Sequence, residues 1–191
     1  MLPLDIVFAT IDRFAFVAVR YVFAGLWQSE PAAYFAGPFT HMFLHAGIAH
    51  LSINMAMLLA FGTAIARRMR TGPFLAFHAI CGVAGALFWA LMNPYSIDPL
   101  LGASGAISGM VGAVAGIALS EPPGHGMPFR DSGAALAFVA VWLALNFIVG
   151  LFGAAAMGID GAIAWEAHLG GFVAGFAVIR LFPRSGGANR V

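Results

Sequence analysis

Charge is scarce in this chain. Asp, Glu, Lys and Arg make up 9% of its 191 residues, against about 25% in an ordinary soluble domain. Nine basic residues stand against eight acidic ones, and a net charge of +1 offers no basic face for nucleic acid. The single cysteine, Cys81, excludes an internal disulfide and a thiolate metal cage. No His-Glu-x-x-His run is present, which excludes the paired-histidine zinc site of metalloproteases. A basic leader followed by a small-residue cleavage site is not evident, so no cleavable signal is expected.

Apolar residues, by contrast, make up 61% of the chain. A run of about 20 such residues spans a bilayer, and five stretches qualify, at 40–66, 74–92, 103–120, 133–156 and 163–182. The chain reads as an all-α polytopic membrane protein of one domain. In residues 1–30 the apolar run is broken by Asp5, Asp12, Arg13 and Arg20. Each such charge costs about 2.5–3.5 kcal/mol at the bilayer centre. This piece is expected to lie in the interface, as a weak or missing first helix. Residues 31–38 read as a short outer loop whose Tyr34 and Phe35 suit the headgroup level. The expected organisation is therefore an N-terminal segment and loop over 1–38, a transmembrane core over 39–182 and a tail over 183–191.

Loop charges orient the spans. Arg67, Arg68 and Arg70 follow the first span, Arg130 precedes the fourth, and Arg180, Arg184 and Arg190 close the chain. Loops 93–102 and 157–162 carry no Lys or Arg. By the positive-inside rule the arginine-bearing loops and the C-terminus are cytoplasmic. The first, third and fifth spans then all begin at the outer side, at one depth. A bacterial inner membrane is the expected location, for a short chain without a transit peptide.

One stretch organises the rest. Glycines at 102, 105, 109, 112 and 116 step by three, four, three and four, which on a helix makes one continuous stripe. Such a stripe lets a second helix approach to backbone contact in lipid. Ser104 stands at its N-terminal end, where free N–H groups and the positive helix end favour an anion. A glycine-packed helix with an incidental serine would look the same. The first span carries His41, His45, His50 and Asn54 in its outer half, and the fifth carries Glu166, His168, Gly170, Gly171 and Gly175. Polar residues inside a membrane are expensive and so mark candidate sites. His50 and Asn54, four apart, face one way.

If the Gly171 and Gly175 face packs on the glycine stripe, Ser104 Oγ comes within reach of a His168 nitrogen. A serine hydroxyl becomes a nucleophile when an adjacent base takes its proton. Acyl transfer also needs donors aimed at the forming oxyanion, and His50, Asn54 and the Ser104 N–H can supply them. Glu166 lies two residues from His168 and so points elsewhere on a helix, at the interface. Nothing in this set requires a metal or a cofactor.

Phe39 to Gly47 followed by His50-Leu51-Ser52-Ile53-Asn54 resembles the first loop and second transmembrane helix of rhomboid intramembrane serine proteases. Gly102-Ala103-Ser104-Gly105 resembles their GxSG nucleophile motif, and Ala167-His168-Leu169-Gly170-Gly171 their final AHxGG helix. The resemblance implies a rhomboid-like bundle with a Ser104–His168 dyad and an oxyanion site of His50 and Asn54. His45 and His41 would brace the loop, and Gly102, Gly105, Gly109, Gly171 and Gly175 would serve helix packing. It also implies cleavage of transmembrane protein substrates from within the lipid bilayer, near the outer face, at small residues with helix-weakening neighbours. Residues 133–156 would form a lateral gate, and 157–162, with Gly153, Met157, Gly158 and Gly161, a cap. The chain departs from the family in having no convincing first span, and in carrying Ala36-Gly37 in place of a Trp-Arg pair. Two other functions are compatible with these residues. One is a catalytically silent binder of membrane helices; the other is an ion or proton pathway lined by histidines, with His41 and His45 at a metal-ligand spacing.

Overall fold

The structure is a computed structural model that describes residues 3–23, 25–120, 131–156, 163–182 and 184. Met157, Gly158 and Gly161 of the expected cap, and all of the tail except Arg184, lie outside the described residues. The described helices are α1 (Leu4–Phe14), α2 (Pro31–Thr40), α3 (Ile48–Ala66), α4 (Thr71–Met92), α5 (Ser104–Ser120), α6 (Ser132–Ala156) and α7 (Trp165–Val178). A single helical turn, Leu26–Ser29, precedes α2. The chain is a helical membrane bundle.

Three helices, α3, α4 and the Ser132–Phe152 part of α6, are long and apolar enough to cross a membrane. They expose leucine, valine and phenylalanine outward, among them Leu59, Leu87, Val141 and Phe152. Inside them stands α5, in which every residue from Gly105 to Ile117 is buried. With 17 residues it is about 26 Å long, short of the roughly 30 Å hydrocarbon core. A helix screened from lipid by its neighbours need not cross the full width. The irregular backbone leading into it must still be satisfied within the protein. Phe16 and Leu100 exchange backbone hydrogen bonds at 3.3 and 2.8 Å, Val19 N–H donates to Ser96 O, and Gly102 N–H donates to His41 O at 2.9 Å.

Two expected boundaries differ. The first span begins at Ile48 rather than residue 40, because His41–Phe43 form a 3-10 turn and Leu44 is extended. Residues 31–38, expected as loop, are helical. Pro31 sits at the first helical position, where its missing N–H and fixed φ suit a helix. Pro38, about two turns further on, cannot bond the carbonyl of Tyr34. The Tyr21 hydroxyl donates to that carbonyl instead, at 2.6 Å. Burial and the neighbouring Tyr34 push the Tyr21 phenol up to about 12, so the donor proton is retained.

The N-terminal segment packs over this loop. With 11 residues, α1 reaches about 16 Å, too short to cross. Arg20 is buried and pairs with Asp12 at 2.7 Å and Glu30 at 2.9 Å. Of the charges that interrupt the apolar run, Asp12 and Arg20 are thus spent on one another. Thr40 Oγ1 donates to Phe14 O at 2.6 Å, and His41 Nδ1 bonds Gly37 O at 3.0 Å. These contacts anchor the loop where Ala36-Gly37 stand.

The tightest packing joins α5 and α7. A Cβ added to Gly171 would fall on the Gly105 carbonyl, and one added to Gly175 on the Gly109 carbonyl. Both pairs are offset by the same step, so the helices run parallel and in register at backbone contact. On another side α4 closes in, with Cys81 against Gly109 and Gly85 against the Ala167 carbonyl.

Candidate active site

Ser104 is the first residue of α5, and Gly102 makes the turn that delivers it. Gly102 has φ +110°, a conformation that L side chains rarely adopt. A Cβ there would also lie 2.8 Å from His50 Cε1 and Nε2. Gly102 is therefore a turn glycine rather than the first member of the helix-packing stripe, which begins at Gly105. The turn places the start of α5 against His50 and Asn54 of α3.

His168 lies at the start of α7, beside that mouth. Its Nε2 is 2.8 Å from Ser104 Oγ. Parallel in-register packing puts the first turns of α5 and α7 at one end of the bundle, which is why residues 64 apart in the chain can touch. The other His168 nitrogen, Nδ1, is 2.7 Å from Asn146 Oδ1, and Asn146 Nδ2 donates to Trp165 O at 3.2 Å.

On the α3 side, Asn54 is buried and its Nδ2 has no hydrogen-bond partner. An orphaned buried donor costs about 1–3 kcal/mol, so its presence here suits a site that holds an anion only transiently. His50 Nδ1 accepts from Ala46 N–H at 3.4 Å. In the neutral ring the proton then sits on Nε2, the atom that faces the Gly102 turn. His45 packs edge-on to His50 at 5.1 Å, and burial lowers its pKa. His41 contributes its carbonyl to Gly102, while burial pushes its imidazole down to about 4. Because the 3-10 turn of His41–Phe43 ends at an extended Leu44 and His45 lies outside any helix, the i, i+4 spacing of His41 and His45 does not put them on one helix face as a metal pair. Glu166 accepts from Asn93 Nδ2 at 3.3 Å and has no bond to His168 among those described.

Asn146 is the site residue that sequence reasoning missed. It is the only Asn, Gln, Asp, Glu, Ser, Thr, Arg or His between 133 and 156. The rule that flagged the histidines, that polar residues in lipid are costly, flags it equally.

Ser104, His168, His50 and Asn54 thus gather at one mouth, where the Asn54 amide nitrogen is unpartnered. A family model described as the Rhomboid domain matches residues 32–185. The chain belongs to the rhomboid family. Among its rhomboid relatives, the rhomboid protease GluP of Bacillus subtilis is 36% identical over 138 residues, covering 72% of this chain and 24% of its own length. RHOMBOID-like protein 6, mitochondrial, of Arabidopsis thaliana is 31% identical over 153 residues, covering 77% and 44%. Rhomboid-like protease 3 of Toxoplasma gondii is 30% identical over 146 residues, covering 73% and 49%. The chain matches less than half the length of each of these rhomboid proteins. The rhomboid family includes serine intramembrane proteases.

Proposed function

We propose that this chain is an intramembrane serine endopeptidase that cuts transmembrane segments of membrane proteins near the outer face. The observation that carries the reading is the 2.8 Å contact between His168 Nε2 and Ser104 Oγ. His168 removes the Ser104 proton as Oγ attacks the scissile carbonyl, and the carbonyl oxygen becomes an oxyanion. That oxyanion is held by the Ser104 backbone N–H, free at the helix start, together with His50 Nε2–H and the Asn54 amide. The C–N bond then breaks as His168 gives its proton to the leaving amine. Water entering from the outer side, deprotonated by His168, attacks the acyl-serine; the new carboxyl terminus leaves and Ser104 regains its proton. The arginine pattern supports an integral membrane protein with its C-terminus on the cytoplasmic side.

A fluorophosphonate probe on the full chain in detergent tests this. Activated Oγ displaces fluoride at phosphorus, so the wild type is labelled, whereas Ser104→Ala and His168→Ala are not. Labelling or cleavage that survives Ser104→Ala refutes the assignment. A folded wild type that takes no label favours a silent binder of membrane helices.

A further inference from the structure

We propose that Asn146 is a positioning residue that fixes the tautomer of His168 and ties it to the docking of α6. The inference rests on the Ser104–His168 reading for its catalytic consequence, but its chemistry stands on two hydrogen bonds of Asn146. Trp165 O is a carbonyl and can only accept. The Asn146 atom that bonds it at 3.2 Å is therefore the amide nitrogen, and the amide oxygen is left facing His168 Nδ1 at 2.7 Å. That oxygen can only accept, so Nδ1 carries the proton. In the neutral ring Nε2 then has the lone pair, directed at Ser104 Oγ–H, and this is the tautomer that a general base requires.

Asn146 sits on one face of α6 with Trp142 and Gly150, at steps of four. Trp142 stacks on Phe172 of α7 at 4.6 Å. A Cβ on Gly150 would lie 2.5 Å from Trp165 Cβ, so the glycine allows α6 to come close. Phe147 meets the Trp165 ring edge-on at 5.6 Å. The rest of α6 is mostly exposed apolar surface. Asn146 is thus a polar side chain on a lipid-facing helix whose amide oxygen and nitrogen both bond α7. The base is oriented only while α6 is seated there.

Asn146→Leu keeps the approximate volume and removes both bonds. With fluorophosphonate as the probe on the full chain, the maximal labelling rate should fall about 10²-fold while the half-saturating concentration stays within about twofold. That loss lies within the roughly 10²–10⁴ that general acid–base catalysis contributes. Asn146→Asp, which in its protonated form can donate to Trp165 O and accept from Nδ1–H, should restore the rate to within about tenfold of wild type. A merely structural asparagine would not move the tautomer, which ¹⁵N NMR of histidine-labelled protein reads, with His168→Gln as the assignment control. The wild type should show proton on Nδ1 alone, and Asn146→Leu should show a mixture or the Nε2–H form. Asn146→Ala replaces the leucine variant if the latter does not fold. An unchanged tautomer overturns the proposal whatever the rate does, and so does an altered tautomer with an unchanged rate. If the wild type takes no label, the protease reading has failed, and the tautomer alone decides the role of Asn146.

Discussion

Gly102 and Asn54 meet at the mouth of α5, and substitutions at the two should fail differently. Asn54→Ala removes one of the proposed oxyanion donors, so the labelling rate should drop about 10²-fold with the fold retained. Gly102→Ala forces a Cβ into φ +110° and against the His50 ring. It should cost about 1–3 kcal/mol of stability and lower the labelling rate as well, measured by thermal melting beside probe kinetics. His41 gives a pH dependence with a definite sign. Burial lowers its folded pKa from 6.5 to about 4, so folding favours the neutral ring. The stability it contributes is complete above about pH 6.5 and is lost as pH falls from there through about 4. Melting temperature should therefore drop on acidification through that window, and His41→Gln should flatten the drop. That Ser104 and His168 would meet, with His50 and Asn54 close by, was readable from residue type and spacing. Asn146 was as readable by cost alone, but it stands by itself in an apolar run and belongs to no recognisable local pattern.

Between elements, what decides is how closely two backbones approach. Gly171→Val and Gly175→Ala each drive a carbon onto a carbonyl of α5, and main chain in a packed helix cannot step aside. Each should cost more than the about 1–3 kcal/mol of ordinary overpacking and leave little folded protein on size-exclusion chromatography. Gly47→Ala is the matched control. Its φ of 172° is ordinary extended backbone and nothing lies within 4 Å of the added carbon, so stability should change by no more than about 0.5 kcal/mol. Helix packing of this kind was legible, because small residues at steps of three and four have one efficient use in lipid. Boundaries were not. The glycine series runs unbroken from Gly102 to Gly116 in sequence, yet α5 starts only at Ser104, since the turn before it is set by contacts with His41 and His50 from a different part of the chain. Pro31 to Pro38 reads as loop on composition, but the Tyr21 hydroxyl supplies the bond that Pro38 would otherwise leave open.

Across the whole molecule, the lone cysteine serves as a gauge of integrity. Cys81 is fully buried, pressed against Gly109 between α4 and α5. A membrane-permeant maleimide should leave it unmodified in the folded protein and should label it only at the rate of global unfolding. Prompt labelling under native conditions would contradict the packing of α4 on α5. The helical membrane architecture was legible at this scale because charge scarcity and apolar runs act without reference to partners. The alignment of α6 on α7 was not, because it depends on which of many apolar faces meet, and only Asn146 marks the place. The in-step glycines of α5 and α7 also bear on how this protein can vary. A saturation scan scored by cellular abundance should find its sharpest intolerance at Gly112, Gly171 and Gly175, where an added carbon meets main chain, and far less at Ser104. Scored by turnover, the same library should add the serine without relieving the glycines. Lineages descended from this chain could therefore lose the chemistry by one change and keep the scaffold, whereas the reverse route is closed.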